Sequence, residues 1–188
     1  MEVYNLKDKL EYLNEVAYLE HEEWADSKDE NKSERIKRKK DKICSMFSNN
    51  AFCKLILIKK NKLIGFISIF PHDGEEELDI GPWYATMYVK KEYRNKGYSR
   101  ILNDAILNEA KKRGFRELYL KTDLENYYEK FGAHYLKDLK CGEKLYRIDV
   151  IWNEKWGRLF FYKHGNWDKF VKIFYFFYLK IQILLDYK

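Results

Sequence analysis

Paired cysteines, proline- or glycine-rich stretches and long apolar runs are all scarce in this 188-residue chain, and each scarcity removes a class of protein. Its three cysteines, Cys44, Cys53 and Cys141, are odd in number and follow no Cys-x-x-Cys spacing, which excludes a disulfide framework and a cysteine-based zinc site. The histidines His21, His72, His134 and His164 are scattered, so no metal site is expected. Free thiols fit a reducing compartment, and a cytoplasmic protein is expected. With two prolines and nine glycines, no linker rich in either divides the first 151 residues, and no internal repeat is visible. The longest aromatic-apolar run, residues 173–179, is bounded by Lys172 and Lys180 and is too short and too charged to cross a bilayer. Charge begins at Glu2, unlike the start of a signal peptide.

What is present points to a folded domain. Aromatic residues make up 18% of the chain, which argues against disorder. The net charge of +6 suits an anionic ligand without requiring nucleic acid. Leu6, Leu10, Leu13, Ala17 and Trp24 recur at helical steps and predict a helix over about the first 25 residues. A basic segment around Arg35-Ile36-Lys37-Arg38-Lys39-Lys40 follows, with Ile36, Ile43, Met46 and Phe47 as an apolar stripe. It reads as the solvated face of a second helix; a nucleic-acid or membrane patch is the rival reading. Residues 53–59 and 63–70 are apolar runs around a polar turn, a β-hairpin stopped by Pro71. Residues 84–89 form the next strand, 101–113 a helix ending at Gly114, and 117–122 a strand. The helical crossover makes the last two strands parallel. A short helix over 126–131 and a hairpin over 133–139 and 144–151 complete a mixed α/β domain, an α+β fold with one mixed sheet. Residues 152–188 differ in composition and read as an aromatic, basic extension, packed or dimer-forming, with an interfacial membrane helix as the alternative.

The most informative stretch is Tyr93-Arg94-Asn95-Lys96-Gly97-Tyr98-Ser99-Arg100, a basic turn between a strand and a helix. Backbone N–H groups at a helix start have no intrahelical partners, and the dipole there is positive. Gly97 lets backbone approach an anion without an intervening Cβ. A phosphorylated ligand is expected here.

One helix and one strand later stands Tyr127-Tyr128-Glu129-Lys130-Phe131-Gly132-Ala133. Together, the two segments resemble the GNAT superfamily of N-acetyltransferases, which carries Arg/Gln-x-x-Gly-x-Gly/Ala between a strand and a helix and a Phe-Tyr-Glu-Lys-Phe-Gly-Phe-like segment later. The order of elements over residues 1–151 is similar too. The resemblance implies the GNAT fold for residues 1–151, with 152–188 as an appendage, and acetyl-CoA as co-substrate without a metal. It implies that Arg94, Asn95, Lys96, Gly97, Tyr98, Ser99 and Arg100 hold the pyrophosphate, chiefly through backbone amides. Met87, Tyr88 and Val89 would flank the pantetheine arm, the Val89 N–H would donate to the thioester oxygen, and Tyr128 would serve as general acid. Three positions depart from the family pattern: Ser99 where Gly or Ala is usual, Ala133-His134 after the Gly, and Lys121 where many members carry Asn.

The resemblance further implies that a primary amine attacks the thioester directly in a ternary complex. Members often use a Glu or Asp near the acceptor as base, and Glu77 and Asp79 are the candidates in an acidic loop that otherwise reads as solvated. That loop would attract a small cationic amine such as a polyamine or aminoglycoside; a protein amine or an aminoacyl-tRNA are alternatives. Trp24, Trp83 and Tyr84 are candidate pocket residues, although Trp24 reads more simply as core. A homodimer through the C-terminal extension is a further expectation, whereas nucleic-acid and membrane partners are not expected. The rival class is a non-catalytic acyl-CoA-binding or interaction protein. Gly97→Glu should abolish CoA binding, because a side chain and a negative charge would meet the phosphates; unchanged affinity by calorimetry in a folded variant would refute the loop assignment.

Overall fold

The structure, a computed structural model, describes residues 1–24, 31–73 and 80–150. Among these, a seven-stranded mixed sheet runs in the order β1-β2-β3-β4-β5-β7-β6. The strands are β1 (Glu2–Asn5), β2 (Cys53–Lys59), β3 (Lys62–Phe70), β4 (Trp83–Val89), β5 (Glu117–Thr122), β6 (Ala133–Asp138) and β7 (Lys144–Asp149). The helices are α1 (Leu13–Trp24), α2 (Lys32–Met46) and α3 (Tyr98–Lys112).

The two faces of the sheet bury separate clusters. On one face, Leu102, Ile106, Leu107 and Ala110 of α3 pack against Leu55, Leu57, Ile67, Ile69 and Leu118. On the other, Val16 and Ala17 of α1 and Ile43 of α2 cover Ile56, Ile58, Leu63 and Phe66. Alternation along β2, and along β3 on either side of the register shift at Ile64, sorts these residues, because successive strand side chains point to opposite faces. Both strands are covered on both sides and therefore read as nearly continuous apolar runs. Their hairpin turns through Lys60 and Asn61, both at positive φ, as a two-residue hairpin loop requires.

The chain start differs from its sequence pattern. Residues 2–5 pair with β2 as an edge strand, Glu2 opposite Ile58 and Asn5 opposite Leu55. Two single 3-10 turns, Leu6–Asp8 and Leu10–Tyr12, precede α1. The helical spacing of Leu6 and Leu10 is therefore not one helix face: Leu6 is buried, while Leu10 is exposed. Pairing with a strand fifty residues away overrides the local pattern. The predicted short helix at 126–131 shrinks to the 3-10 turn Glu129–Phe131, with Asn126 at φ +56°. The hairpins, α3 and the parallel pairing of β4 with β5 stand as expected.

β4 carries the feature that organises the site. Phe66 faces Tyr88 and Ser68 faces Ala85, so Thr86 and Met87 together oppose Ile67 alone. This is a β-bulge, one extra residue in β4. Thr86 sits at φ +49°, a left-handed conformation that costs a β-branched residue on the order of 1–3 kcal/mol. The bulge reverses the phase of the strand. Tyr84 joins the α3-side cluster, yet Tyr88, four residues on, joins the opposite one. Just beyond the bulge, β3 presses against β4: a Cβ on Gly65 would lie 2.3 Å from the Tyr88 carbonyl oxygen. Gly65→Ala should therefore destabilise the protein by about 1–3 kcal/mol through forced separation of the two strands. Urea unfolding checks this, and an unchanged midpoint would mean that β4 moves aside freely.

Candidate active site

β4 and β5 are parallel neighbours at one register pair only, Trp83 opposite Tyr119, supported by the Tyr119 N–H donating to the Pro82 carbonyl at 2.9 Å. Past that point β4 follows β3 and no further pairing with β5 occurs. The Lys90 N–H donates to the Ile64 carbonyl of β3 at 3.0 Å. Backbone groups alternate edges along a strand, so the Val89 N–H and C=O point away from β3, toward the unpaired side. The Val89 carbonyl already accepts from Arg94 Nε at 2.9 Å.

The loop after β4 is built from left-handed residues. Asn95 is at φ +62° and Gly97 at φ +79°, and Gly97 is the N-cap of α3 with no side-chain cap. Its glycine is required by the backbone angle rather than by crowding, since a Cβ there would meet nothing within 4 Å. The Arg100 N–H turns back to the Gly97 carbonyl at 3.1 Å. Asn95, Lys96, Gly97 and Arg100 are exposed and Tyr98 and Ser99 half-buried, so the start of α3, the positive end of its dipole, lies at the surface. Ser99 lies inside the first turn of α3 and is not its cap.

Several side chains of the loop are engaged with protein. The Arg94 guanidinium lies 5.7 Å from the Tyr88 ring centroid and 3.4 Å from a Glu23 carboxylate oxygen of α1. Lys96 Nζ donates to the Glu92 carbonyl at 2.8 Å, and Lys59 Nζ to the Tyr98 hydroxyl at 3.0 Å. Arg94 thus joins α1 to the end of β4 while its side chain stays partly exposed.

Tyr128 precedes the 3-10 turn and packs against the α3-side cluster, as do Met87 and Val89. Its ring meets Tyr84 edge-on at 5.8 Å, and the Tyr84 hydroxyl donates to the Met87 sulfur at 3.3 Å. Tyr128 is therefore one ring away from the strand segment that follows the bulge. Burial, with smaller contributions from Tyr127 and Asp123, pushes its phenol up to about 12. Burial likewise holds the Tyr84 phenol well above its ordinary value.

Other candidate residues fall differently. Trp83 is fully buried, its indole N–H donating to the Ile80 carbonyl at 2.9 Å, and Tyr84 is core as well. Trp24, expected in the core, is half exposed at the end of α1, its ring edge-on to Phe66 and Tyr88 at 6.4 and 6.3 Å. Of the pocket candidates, Trp24 alone reaches the surface beside β4, because α1 ends there. Glu77, Asp79 and residues 152–188 lie outside the described residues.

A polar cluster escaped the sequence reading. Lys54 of β2 is fully buried, forms an ion pair with Glu20 of α1, and donates to Ser68 Oγ of β3 at 2.6 Å. Its signal was available: Lys54 and Ser68 are polar residues inside two otherwise apolar strand runs. Lys39 of α2 approaches the same pair, and burial lowers its ammonium below the ordinary range against the opposing pull of Glu20.

A split sheet beside a helix start at the surface is the frame of an acyl-CoA-dependent acyltransferase. The sequence profile of the acetyltransferase (GNAT) family matches residues 13–133, and the chain belongs to that family. It is accordingly an enzyme, with acetyl-CoA as co-substrate. Comparison with curated proteins returns no match. Among solved structures, the chain is similar to an aminoglycoside 6'-N-acetyltransferase complexed with coenzyme A (16% identity, TM-score 0.61, covering 80% of this chain and 97% of that one). It is also similar to PaiA N-acetyltransferase from Thermoplasma acidophilum in complex with coenzyme A (22%, TM-score 0.55, 79% and 99%). A spermidine N-acetyltransferase variant from Vibrio cholerae is comparable (16%, TM-score 0.59, 81% and 96%). At these identities the likeness shows the fold. Among the described residues, no helix is long and apolar enough to cross a membrane.

The raised phenols have a consequence for stability. A folded-state pKa above the unfolded value of 10.0 favours the neutral phenol, so this contribution is complete below pH 10 and is lost as pH climbs through 12. Stability should fall in that window, by at most roughly 1.4 kcal/mol per pH unit for Tyr128. Urea unfolding between pH 9 and 12 should show a shallower decline in Tyr128→Phe; identical slopes would place Tyr128 in a solvated site.

Proposed function

We propose that the protein transfers the acetyl group of acetyl-CoA to the primary amine of a small cationic molecule, by direct attack in a ternary complex. One observation carries this reading: the Val89 N–H is turned to the unpaired side of β4, on a strand segment that Tyr84 connects to Tyr128. A thioester laid along Met87, Tyr88 and Val89 would have its oxygen at the Val89 N–H and its sulfur toward Tyr128. The loop amides of residues 95–100 would hold the pyrophosphate.

In the chemical step, the amine nitrogen bonds to the carbonyl carbon and negative charge grows on the oxygen. A preorganised N–H donor there is worth about 3–4 kcal/mol in other enzymes. The C–S bond then breaks and sulfur leaves with the electron pair. A phenol near 12 is a weaker acid than a thiol of about 8.5, so complete proton transfer to the thiolate is uphill by about 5 kcal/mol. Tyr128 therefore acts chiefly by hydrogen bonding to the departing sulfur. The surplus proton of the attacking nitrogen supplies the balance, through a base for which Glu77 and Asp79 stand as candidates.

The cationic acceptor is favoured by the exposed Trp24 at the end of α1, an aromatic face suited to an ammonium, beside Glu22 and Glu23, which are paired with Lys32 and Arg94. The aminoglycoside and spermidine enzymes among the similar structures supply the first acceptors to try. With a productive amine, Tyr128→Phe should lower kcat about 100-fold or more while CoA affinity stays within about threefold. The wild-type kcat/KM should rise with pH and then level, with no descending limb below pH 10, because the phenol stays protonated there. CoA binding without turnover on any amine of a broad panel would favour the non-catalytic reading, and a descending limb near pH 8–9 would assign the acid to another group.

A further inference from the structure

The bulge in β4 places a β-branched residue, Thr86, in a left-handed conformation, and such a conformation persists only where its surroundings fix it. Those surroundings are polar and deeply buried. Thr86 Oγ1 lies 2.7 Å from Ser68 Oγ, and Lys54 Nζ donates to Ser68 Oγ at 2.6 Å and approaches Thr86 Oγ1 at 3.4 Å. The third proton of Lys54 goes to Glu20, whose carboxylate is only 4% exposed. The three ammonium protons thus all have acceptors, and the Phe66 and Phe70 rings, at 5.3 and 5.5 Å, lie beside the charge.

We propose that Glu20, Lys54 and Ser68 form a clamp that holds Thr86, fixing the bulge and thereby the aim of the Val89 N–H at the reacting thioester. They are positioning residues: none need touch substrate. The argument runs through β4 itself. The extra residue sets the strand phase for residues 87–89, so a bulge that shifted or relaxed would turn the Val89 N–H away from the side where β5 is absent. A buried ion pair is a poor source of stability, since apolar replacements of similar volume often fold as well or better. Its retention between three strands and α1 fits a geometric role. Glu20 also makes α1, the helix that ends in Trp24, part of the same clamp, so the acceptor side and the thioester are held by one network.

The catalytic part of this inference rests on the acetyltransferase reading; the geometric part does not. Three full-length variants test it: isosteric Thr86→Val, hydroxyl-retaining Thr86→Ser, and the paired Glu20→Leu/Lys54→Met, which removes both charges of the buried pair together. In the free protein, amide hydrogen exchange over residues 86–89 should be at least about tenfold faster in Thr86→Val and in the paired variant, and near wild type in Thr86→Ser. With acetyl-CoA and spermidine or kanamycin, kcat should fall at least about tenfold in the first and third variants while CoA affinity stays within about twofold. The infrared carbonyl stretch of bound [1-13C]acetyl-CoA should move toward its free value in the same two. Exchange, kcat and carbonyl frequency all at wild-type values in Thr86→Val and the paired variant would overturn the proposal. A parallel loss of CoA affinity and kcat would overturn it as well, by showing a general structural role. If wild-type protein bound no CoA, the acetyltransferase reading would fall, and the exchange measurement would still decide the clamp.

Discussion

One extra residue in β4 governs the geometry of this protein. Thr86 and Met87 together oppose Ile67, and the strand leaves the bulge with its faces exchanged. Tyr84 then belongs to the core under α3 and Tyr88 to the core under α1 and α2. The same irregularity accompanies the loss of pairing with β5 after Trp83. An unpaired edge in the middle of a sheet leaves backbone N–H and C=O groups without partners, an unfavourable state unless a ligand or side chain meets them. Arg94 meets one of them, the Val89 carbonyl. The neighbouring N–H is the group best placed to receive a thioester oxygen.

Charge organises what the bulge opens. α1 is tied to the strands and to the turn after β4 at three points, Glu15 to Lys90, Glu20 to Lys54 and Glu23 to Arg94, besides the pairing of Glu22 with Lys32 of α2. Two of these lie at the end of β4 or just after it and are partly exposed, where such pairs contribute modestly. The third is buried and fully hydrogen-bonded, which makes it costly to break from one side. The arrangement places the aromatic end of α1 beside the strand that would carry the acyl group and ties that helix, through Glu15 and Glu23, to the basic turn that follows the strand.

Much of this was legible in residue order. The hairpin of β2 and β3 showed as two apolar runs around a polar turn, and α3 showed as a periodic run between Gly97 and Gly114. These elements are specified by neighbours in sequence. β1 was not legible, because four residues become a strand only when β2 offers an edge. Trp24 was misread for a related reason: its helical spacing with Ala17 and Leu13 says nothing about where α1 ends relative to β4. The motif pair at 93–100 and 127–133 identified the family because both segments sit on local backbone features, left-handed residues at Asn95, Gly97 and Gly132, that glycine and asparagine encode directly.

The sequence by itself determined the fold class, the family, and the glycine-centred turn and tyrosine segment that carry the resemblance, since each depends on local pattern or on spacing along the chain. Only the tertiary structure decided which way the Val89 N–H faces, that Arg94 contacts Tyr88 and Glu23, and that Lys54, Ser68, Thr86 and Glu20 meet at the bulge. Those facts depend on register across β3 and β4 and on contacts between residues up to 71 positions apart. A one-residue shift in register reverses which face every following side chain occupies, and no single strand carries that information alone.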